Sequence, residues 1–280
     1  MQPDFKTLEA SRPPFSADSG AGLGLSRVTY TRSPNPAWTP GTPQSPSPTP
    51  QPAPKHIAID PNSPSRSSAD NYRLLISGIV PRPIGFVSTV SADGAHRNLA
   101  PFSYFQMANH DPPIFTLGIS GASDKDTLAN LVATGECTIN IISAPWIDAA
   151  NYCSIDAPPD VDEWALSGLT PAPTDVVAAP RVAESVFAIE ARLSFRQEFT
   201  SPRTGRRSGT LVGVEGVRFW AREDALVDGV LDLAVLNPVS RLGGITYATT
   251  SHLFELPRPR FDDERAKDDV RKILKAETPN

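Results

Sequence analysis

The sequence predicts a mainly β fold, an antiparallel barrel with short helices inserted between its strands. Three observations carry this. Six or so strand-like runs, separated by turn signals, lie between residues 84 and 220. A single segment in that stretch has clear helical periodicity. Strands and helices never alternate in the repeating βα manner of a parallel sheet.

The elements follow in chain order. Residues 1–55 form a Pro-rich segment, since 14 of the 30 prolines fall in the first 64 residues. Its core, residues 34–54, is a Pro/Ser/Thr/Gln tract that cannot bury an apolar face and favours extended polyproline conformations. Its PxxP spacing could engage an SH3-type partner, but such spacing is automatic in Pro-rich sequence and a linker is the plainer reading. The folded domain is expected over 56–258. Ile84–Val90 (IGFVSTV) is a β-prone run, and Ser91–Gly94 is a turn containing Asp-Gly. Asn98–Ala108 and Ile114–Ile119 are two further extended runs, and the three together read as a meander. Pro101 interrupts the second run, so that run lies at an edge or bends.

The clear helix is 123–136 (SDKDTLANLVATGE), with Ser123 or Asp124 able to cap it and Gly135 to stop it. Cys137–Ile142 is a strand, and two short helical patches follow around Pro145–Asn151 and Asp160–Ser167. Phe187, Ile189, Ala191, Leu193 and Phe195 then alternate with Glu190, Arg192, Ser194 and Arg196, as in a half-buried strand. A turn at Thr204–Arg207 leads into Thr210–Trp220. Residues 259–280 are expected to form a charged helix or tail.

Composition excludes several functions. The 26 basic against 31 acidic residues give a net charge of −5, without the basic excess of a nucleic-acid binder. No run of about 18 apolar residues is present to cross a membrane, and the N-terminus lacks a signal-peptide apolar region. Two cysteines, Cys137 and Cys153, are too few for a disulfide scaffold, so a reducing, cytoplasmic setting is expected. Four scattered histidines have no metal-ligand spacing, so no metal is expected. No P-loop, HExxH or GxSxG is present; Gly118-Ile-Ser120-Gly121 misses the last by one position.

Four local features remain. Arg82 stands rigidly between Pro81 and Pro83 at a strand entry, where it could meet an anion. Asn98–Phe105 alternates small polar residues with aromatics around Pro101, and a bent strand leaves backbone groups free for a planar polar ligand. Asp124–Thr127 opens a helix whose N-terminus, with Lys125 and Thr127, suits a phosphate. Arg241–Tyr247 (RLGGITY) allows close backbone approach at its paired glycines. Together they suit a phosphorylated planar cofactor held at a barrel wall.

The same residues carry a resemblance. Val80–Gly94 (VPRPIGFVSTVSADG), Asn98–Phe105 (NLAPFSYF), Asp111–Pro113, Lys125–Thr127, Gly168–Thr170, Pro180–Ser185 (PRVAES) and Ser240–Gly244 (SRLGG) with Tyr247 resemble, in order and spacing, the flavin reductase-like, FMN-binding split-barrel family. The match covers about residues 70–256, and the His56–Pro61 run is similar to fungal members. It departs from the pattern at Ser240, where a glycine is expected, and at Asn109, where many relatives carry serine. The resemblance implies a homodimeric Greek-key split barrel with short inserted helices, and FMN near the subunit interface. Arg82, Ser88, Thr89, Ser103, Tyr104, Phe105, Asn109, Lys125, Asp126 and Thr127 are then the expected cofactor-binding residues, and Arg241 and Tyr247 approach the substrate. NADH or NADPH is the implied reductant, so the chain is expected to be an NAD(P)H-dependent flavin reductase. The alternatives are an FMN oxygenase or reductase of a small organic substrate, and a non-catalytic flavin-binding protein. No side chain is required as nucleophile or proton donor, because the cofactor would carry the redox step.

Overall fold

The computed structural model describes residues 28–43 and 55–276. Residues 1–27 and residues 44–54 of the Pro-rich tract lie outside the described residues. The chain divides into two units, one of them Ala69–Thr250 and the other combining Val28–Ser68 with the residues from Ser251 onward.

The larger unit is built on seven strands: β1 (Gly85–Val90), β2 (Arg97–Phe102), β3 (Phe105–His110), β4 (Pro113–Ser120), β5 (Glu136–Ile141), β6 (Phe187–Thr200) and β7 (Arg207–Ala221). They form one antiparallel sheet in the order β2-β1-β5-β6-β7-β4-β3. Its two edge strands, β2 and β3, are neighbours in sequence, separated by Ser103 and Tyr104 alone. A flat seven-stranded sheet would hold its edges about 29 Å apart, at roughly 4.8 Å per strand. The three Cα steps from Phe102 to Phe105 reach at most about 11 Å. The sheet therefore curls until its edges nearly meet, the antiparallel barrel that the strand runs predict and the split barrel that the resemblance implies.

The expected meander is corrected here. The run Asn98–Ala108 is two strands, and they pair on opposite edges of the sheet instead of with each other. Pro101 lies opposite Phe86 on edge strand β2, where its missing N–H leaves no ladder bond unmade. The bend follows immediately, so edge and bend both hold.

The barrel interior is packed by Val87, Leu117, Ile139, Ile189, Val212 and Val214, all essentially inaccessible, with Leu128 and Leu131 entering from helix α2 (Asp126–Thr134). A second cluster lies on the other side of β1. There Phe86, Leu99, Ile142, Trp164 and Val182 pack beneath the short helices α3 (Ile147–Tyr152) and α4 (Glu163–Ser167). Burial on both faces is why β1 lacks the apolar–polar alternation of a half-exposed strand, and its Ser88 and Thr89 are buried with their apolar neighbours. Each fully buried aromatic or aliphatic side chain contributes roughly 1.5–3 kcal/mol to this packing.

Two local expectations change. Asp124 does not cap α2; it pairs with Arg207 at 2.6 Å, and the N-cap residue is Lys125, with no side-chain cap bond. The alternation in β6 places Ile189 and Ala191 in the core as expected, but Glu190 on the opposite face is also fully buried. The loop 175–177 covers it. Glu190 Oε1 accepts from Asp175 N at 2.9 Å and Trp220 Nε1 at 2.6 Å, and Oε2 accepts from Val176 N at 2.6 Å and Val177 N at 3.0 Å. Farther along, Phe195 is 43% exposed.

In the smaller unit, Thr29–Thr31 pairs in parallel with His252–Phe254. The charged C-terminal stretch forms two short helices, Phe261–Glu264 and Asp268–Ala276, where one helical range is predicted. Pairs such as Arg265–Asp262 and Arg271–Asp268 lace their exposed faces. No helix among the described residues is long and apolar enough to cross a membrane.

Candidate functional site

A cavity of about 860 Å³ opens in the larger unit. Its walls are helix α1 (Ser68–Gly78), the Ser103–Tyr104 connection, the end of β4, the start of α2, and the hairpin of β8 (Val239–Arg241) and β9 (Tyr247–Thr249). That size lies in the usual range for small-molecule and cofactor sites.

The seam of the barrel supplies the first wall. Gly118 N donates to Tyr104 O at 2.8 Å, which ties the connection to β4. A Cβ at position 118 would stand 3.0 Å from Tyr104 Cβ, so glycine is what lets the connection lie this close. Burial pushes the Tyr104 phenol above its ordinary pKa and Tyr72 adds to the effect, while Arg82 opposes it. The phenol is therefore an O–H donor at neutral pH.

The helix start supplies the second. With no side-chain cap on α2, its first-turn N–H groups lack a side-chain acceptor, and the helix dipole is positive there. Lys125 lines the cavity at this point, and its ammonium makes no ion pair among the described residues.

The hairpin supplies the third. The Arg241 guanidinium lies over the Tyr247 ring at 4.3 Å and donates to Gly244 O at 2.8 Å. Tyr247 OH donates to Asn151 Oδ1 at 2.7 Å. Arg82 and Arg241 exchange two backbone hydrogen bonds, at 3.0 and 2.9 Å. The Arg82 side chain is 7% exposed; Nη1 donates to Ile76 O and Ile79 O, both at 2.6 Å, and Nη2 to Leu242 O at 2.8 Å. Its Nε is buried without a partner.

The cavity thus gathers Arg82, Ser103, Tyr104, Lys125, Arg241 and Tyr247 from the sequence-predicted set. The other six lie elsewhere. Ser88 and Thr89 are fully buried in β1, where Ser88 Oγ has no partner and Thr89 Oγ1 accepts from Asn130 Nδ2 at 3.2 Å. Phe105 is in the core, stacked on Phe115. Asn109 is exposed and donates to Pro112 O at 2.9 Å. Asp126 is half-buried, and Thr127 Oγ1 is buried, accepting from Asn98 Nδ2 at 2.7 Å. Tyr72, Ser120, Gly121, Asn151 and Ser154 also line the cavity and were missed. Ser120 and Gly121 belong to the near-miss GxSxG, a pattern that signals a nucleophile and not a cavity rim. Tyr72 had no signal, because α1 carries no strong apolar periodicity.

No Asp or Glu lines the cavity, against three cations, Arg82, Lys125 and Arg241. The chemistry favours an anion with a flat body, since aromatic rings stand on several sides. A flavin nucleotide fits this donor set. Its phosphate suits Lys125 and the uncapped helix start, and its ring suits the bare backbone of the seam. Among the described residues, no group of three or more His, Cys, Asp or Glu side chains is placed to hold a metal ion.

Curled sheet and cationic, aromatic cavity define the class, a split-barrel protein with a site for a flat anionic ligand. The comparisons give the family. Residues 77–234 match the flavin reductase-like domain, and the chain belongs to that family. An uncharacterised protein of Halalkalibacterium halodurans is 35% identical over 216 residues, spanning 75% of this chain and all of its own. Among solved structures, nitrilotriacetate monooxygenase component B from Bacillus cereus superposes with a TM-score of 0.69 at 30% identity, over 73% of this chain and all of that one. A split-barrel domain protein from Shewanella frigidimarina superposes with a TM-score of 0.59 at 23% identity, over 70% and 95% of the two chains, a likeness of fold.

Proposed function

We propose that this chain binds FMN in the 860 Å³ cavity and is an NAD(P)H-dependent flavin reductase. The observation that carries this is the carboxylate-free cavity in a flavin reductase-like domain, with an unpaired Lys125 beside an uncapped helix start. Bound there, FMN would supply the redox chemistry, as the acceptor of hydride from a reduced nicotinamide. Everything else is positioning and exclusion of water. Lys125 and the first-turn N–H groups of α2 hold the phosphate. Ser103 and Tyr104 offer backbone and O–H groups along the ring edge. Arg241 and Tyr247 hold the far wall rigid. Ser88, Thr89, Phe105 and Thr127 set these elements from behind, through the core. The similarity to a monooxygenase component supports a reductase that serves a second protein. We also propose a homodimer in the cytoplasm; the exposed Met107, Phe199 and Phe219 are apolar surface that a second copy would cover.

The test is visible absorbance of the purified protein with added FMN, followed by NADH or NADPH without oxygen. Retained flavin absorbance that falls on adding nicotinamide supports the proposal. Retained absorbance that does not fall favours a flavin-binding protein without this activity, and no retained flavin refutes the reading.

A further inference from the structure

We propose that Arg82 is a positioning residue that clamps helix α1 to the β8–β9 hairpin and so fixes Tyr72 at the cavity wall, making α1 the element that selects the second substrate. This rests on the flavin reading above and assigns that site its selecting wall.

The argument begins at the C-terminus of α1. A helix leaves its last carbonyls unpaired and its C-terminal end negative. The last turn of α1 has no basic residue, and Gly78 does not adopt the left-handed conformation that commonly closes a helix. Arg82 supplies what the helix lacks. Its Nη1 serves the carbonyls of Ile76 and Ile79, while Nη2 crosses to Leu242 on the hairpin. The planar guanidinium joins two cavity walls with three bonds, a fork that lysine cannot reproduce.

The hairpin meets the helix closely on the same side. A Cβ on Gly243 would stand 3.2 Å from Ser77 Cα and Cβ, so the glycine makes room for the helix end and not for a ligand. From the clamped end, α1 directs Ile76, 6% exposed, and Tyr72, 55% exposed, to the cavity. Tyr72 is close enough to Tyr104 to affect its titration. The groups proposed above for the phosphate lie at the start of α2, so the α1 wall is left to the second ligand.

The experiment uses the full chain and compares Arg82→Lys, Tyr72→Ala and the double variant. Three quantities are read: amide hydrogen exchange across residues 72–79, FMN affinity by fluorescence quenching, and KM for NADH and NADPH. Arg82→Lys is expected to speed exchange in α1 at least tenfold and shift the nicotinamide KM about fivefold, with FMN affinity within twofold of wild type. Tyr72→Ala should shift KM similarly without speeding exchange at the clamped end of α1. The double variant should shift KM no further than the larger single effect, as for residues acting through one contact. Multiplying KM effects, or unchanged α1 exchange in Arg82→Lys, overturns the proposal. A tenfold loss of FMN affinity with KM unmoved overturns it too, by making Arg82 a direct anion ligand. If Arg82→Lys does not fold, Gly243→Ala displaces the same contact and should give the same KM shift; no shift counts against the clamp. Wild-type protein that binds no FMN refutes the flavin reading and the selecting role with it, while α1 exchange still decides whether Arg82 clamps the helix.

Discussion

Replacing Glu190 with glutamine should destabilise the protein more than any other isosteric change of a carboxylate described above. All four acceptor positions of the Glu190 carboxylate are in use, two on each oxygen. Glutamine keeps one oxygen and turns an NH2 toward two donors, whichever way it flips. Two N–H groups aimed at this buried carboxylate lose their acceptor, at about 1–3 kcal/mol each, so the loss is at most about 2–6 kcal/mol. Domains of ordinary stability have about 5–15 kcal/mol in all, so the change is large. Urea unfolding at pH 7 should show a lower midpoint at unchanged slope. The pH dependence supplies a second check. Burial pushes the Glu190 carboxyl up, but the hydrogen bonds together outweigh it and hold its pKa below the ordinary value. The native state therefore binds fewer protons here than the unfolded chain. This stabilisation is complete above the unfolded pKa of about 4.3 and is lost as pH falls through the lower folded value. The glutamine variant does not titrate, so the gap between the two proteins should close below about pH 4. A gap under 1 kcal/mol at pH 7, or one that persists undiminished into acid, refutes the reasoning.

Lys125→Gln should weaken FMN binding about tenfold to a hundredfold, as for one charge-assisted bond of roughly 1.5–3 kcal/mol, with the melting temperature nearly unchanged; fluorescence titration and a thermal melt check both. Burial pushes the Cys137 thiol up to about 12 and the Cys153 thiol to about 11, so neither should react with a thiol reagent at pH 8 until denaturant is added. Tyr247→Phe removes the bond to Asn151 and should cost about 0.5–1.5 kcal/mol in an unfolding titration.

The fold was largely legible because its strands obey local rules. The alternation in β6, the doubly buried run of β1 and the helical spacing of Leu128 and Leu131 are all short-range signals. Sheet order was not, since pairing between distant strands leaves no mark on local sequence; the run through Pro101 looked like one strand and serves both edges. Glu190 misled for a similar reason. Its alternation pointed outward, but a loop earlier in the chain, at residues 175–177, closes over it. In the site, Lys125, Tyr104 and Arg241 stood out by chemical type. Tyr72 and Asn151 did not, because an isolated tyrosine or asparagine shows its role once the chain has brought it to a wall.

The two-residue seam between β2 and β3 also limits how this chain can be lengthened. Extra residues at the Thr204–Gly205 turn would only extend an exposed hairpin end. Extra residues between Ser103 and Tyr104 would let the two edges drift apart and widen the mouth of the cavity. Length variation among related chains should therefore collect at the hairpin tip and avoid the seam, and the tip is where a label or fused domain can be placed without disturbing the ligand site.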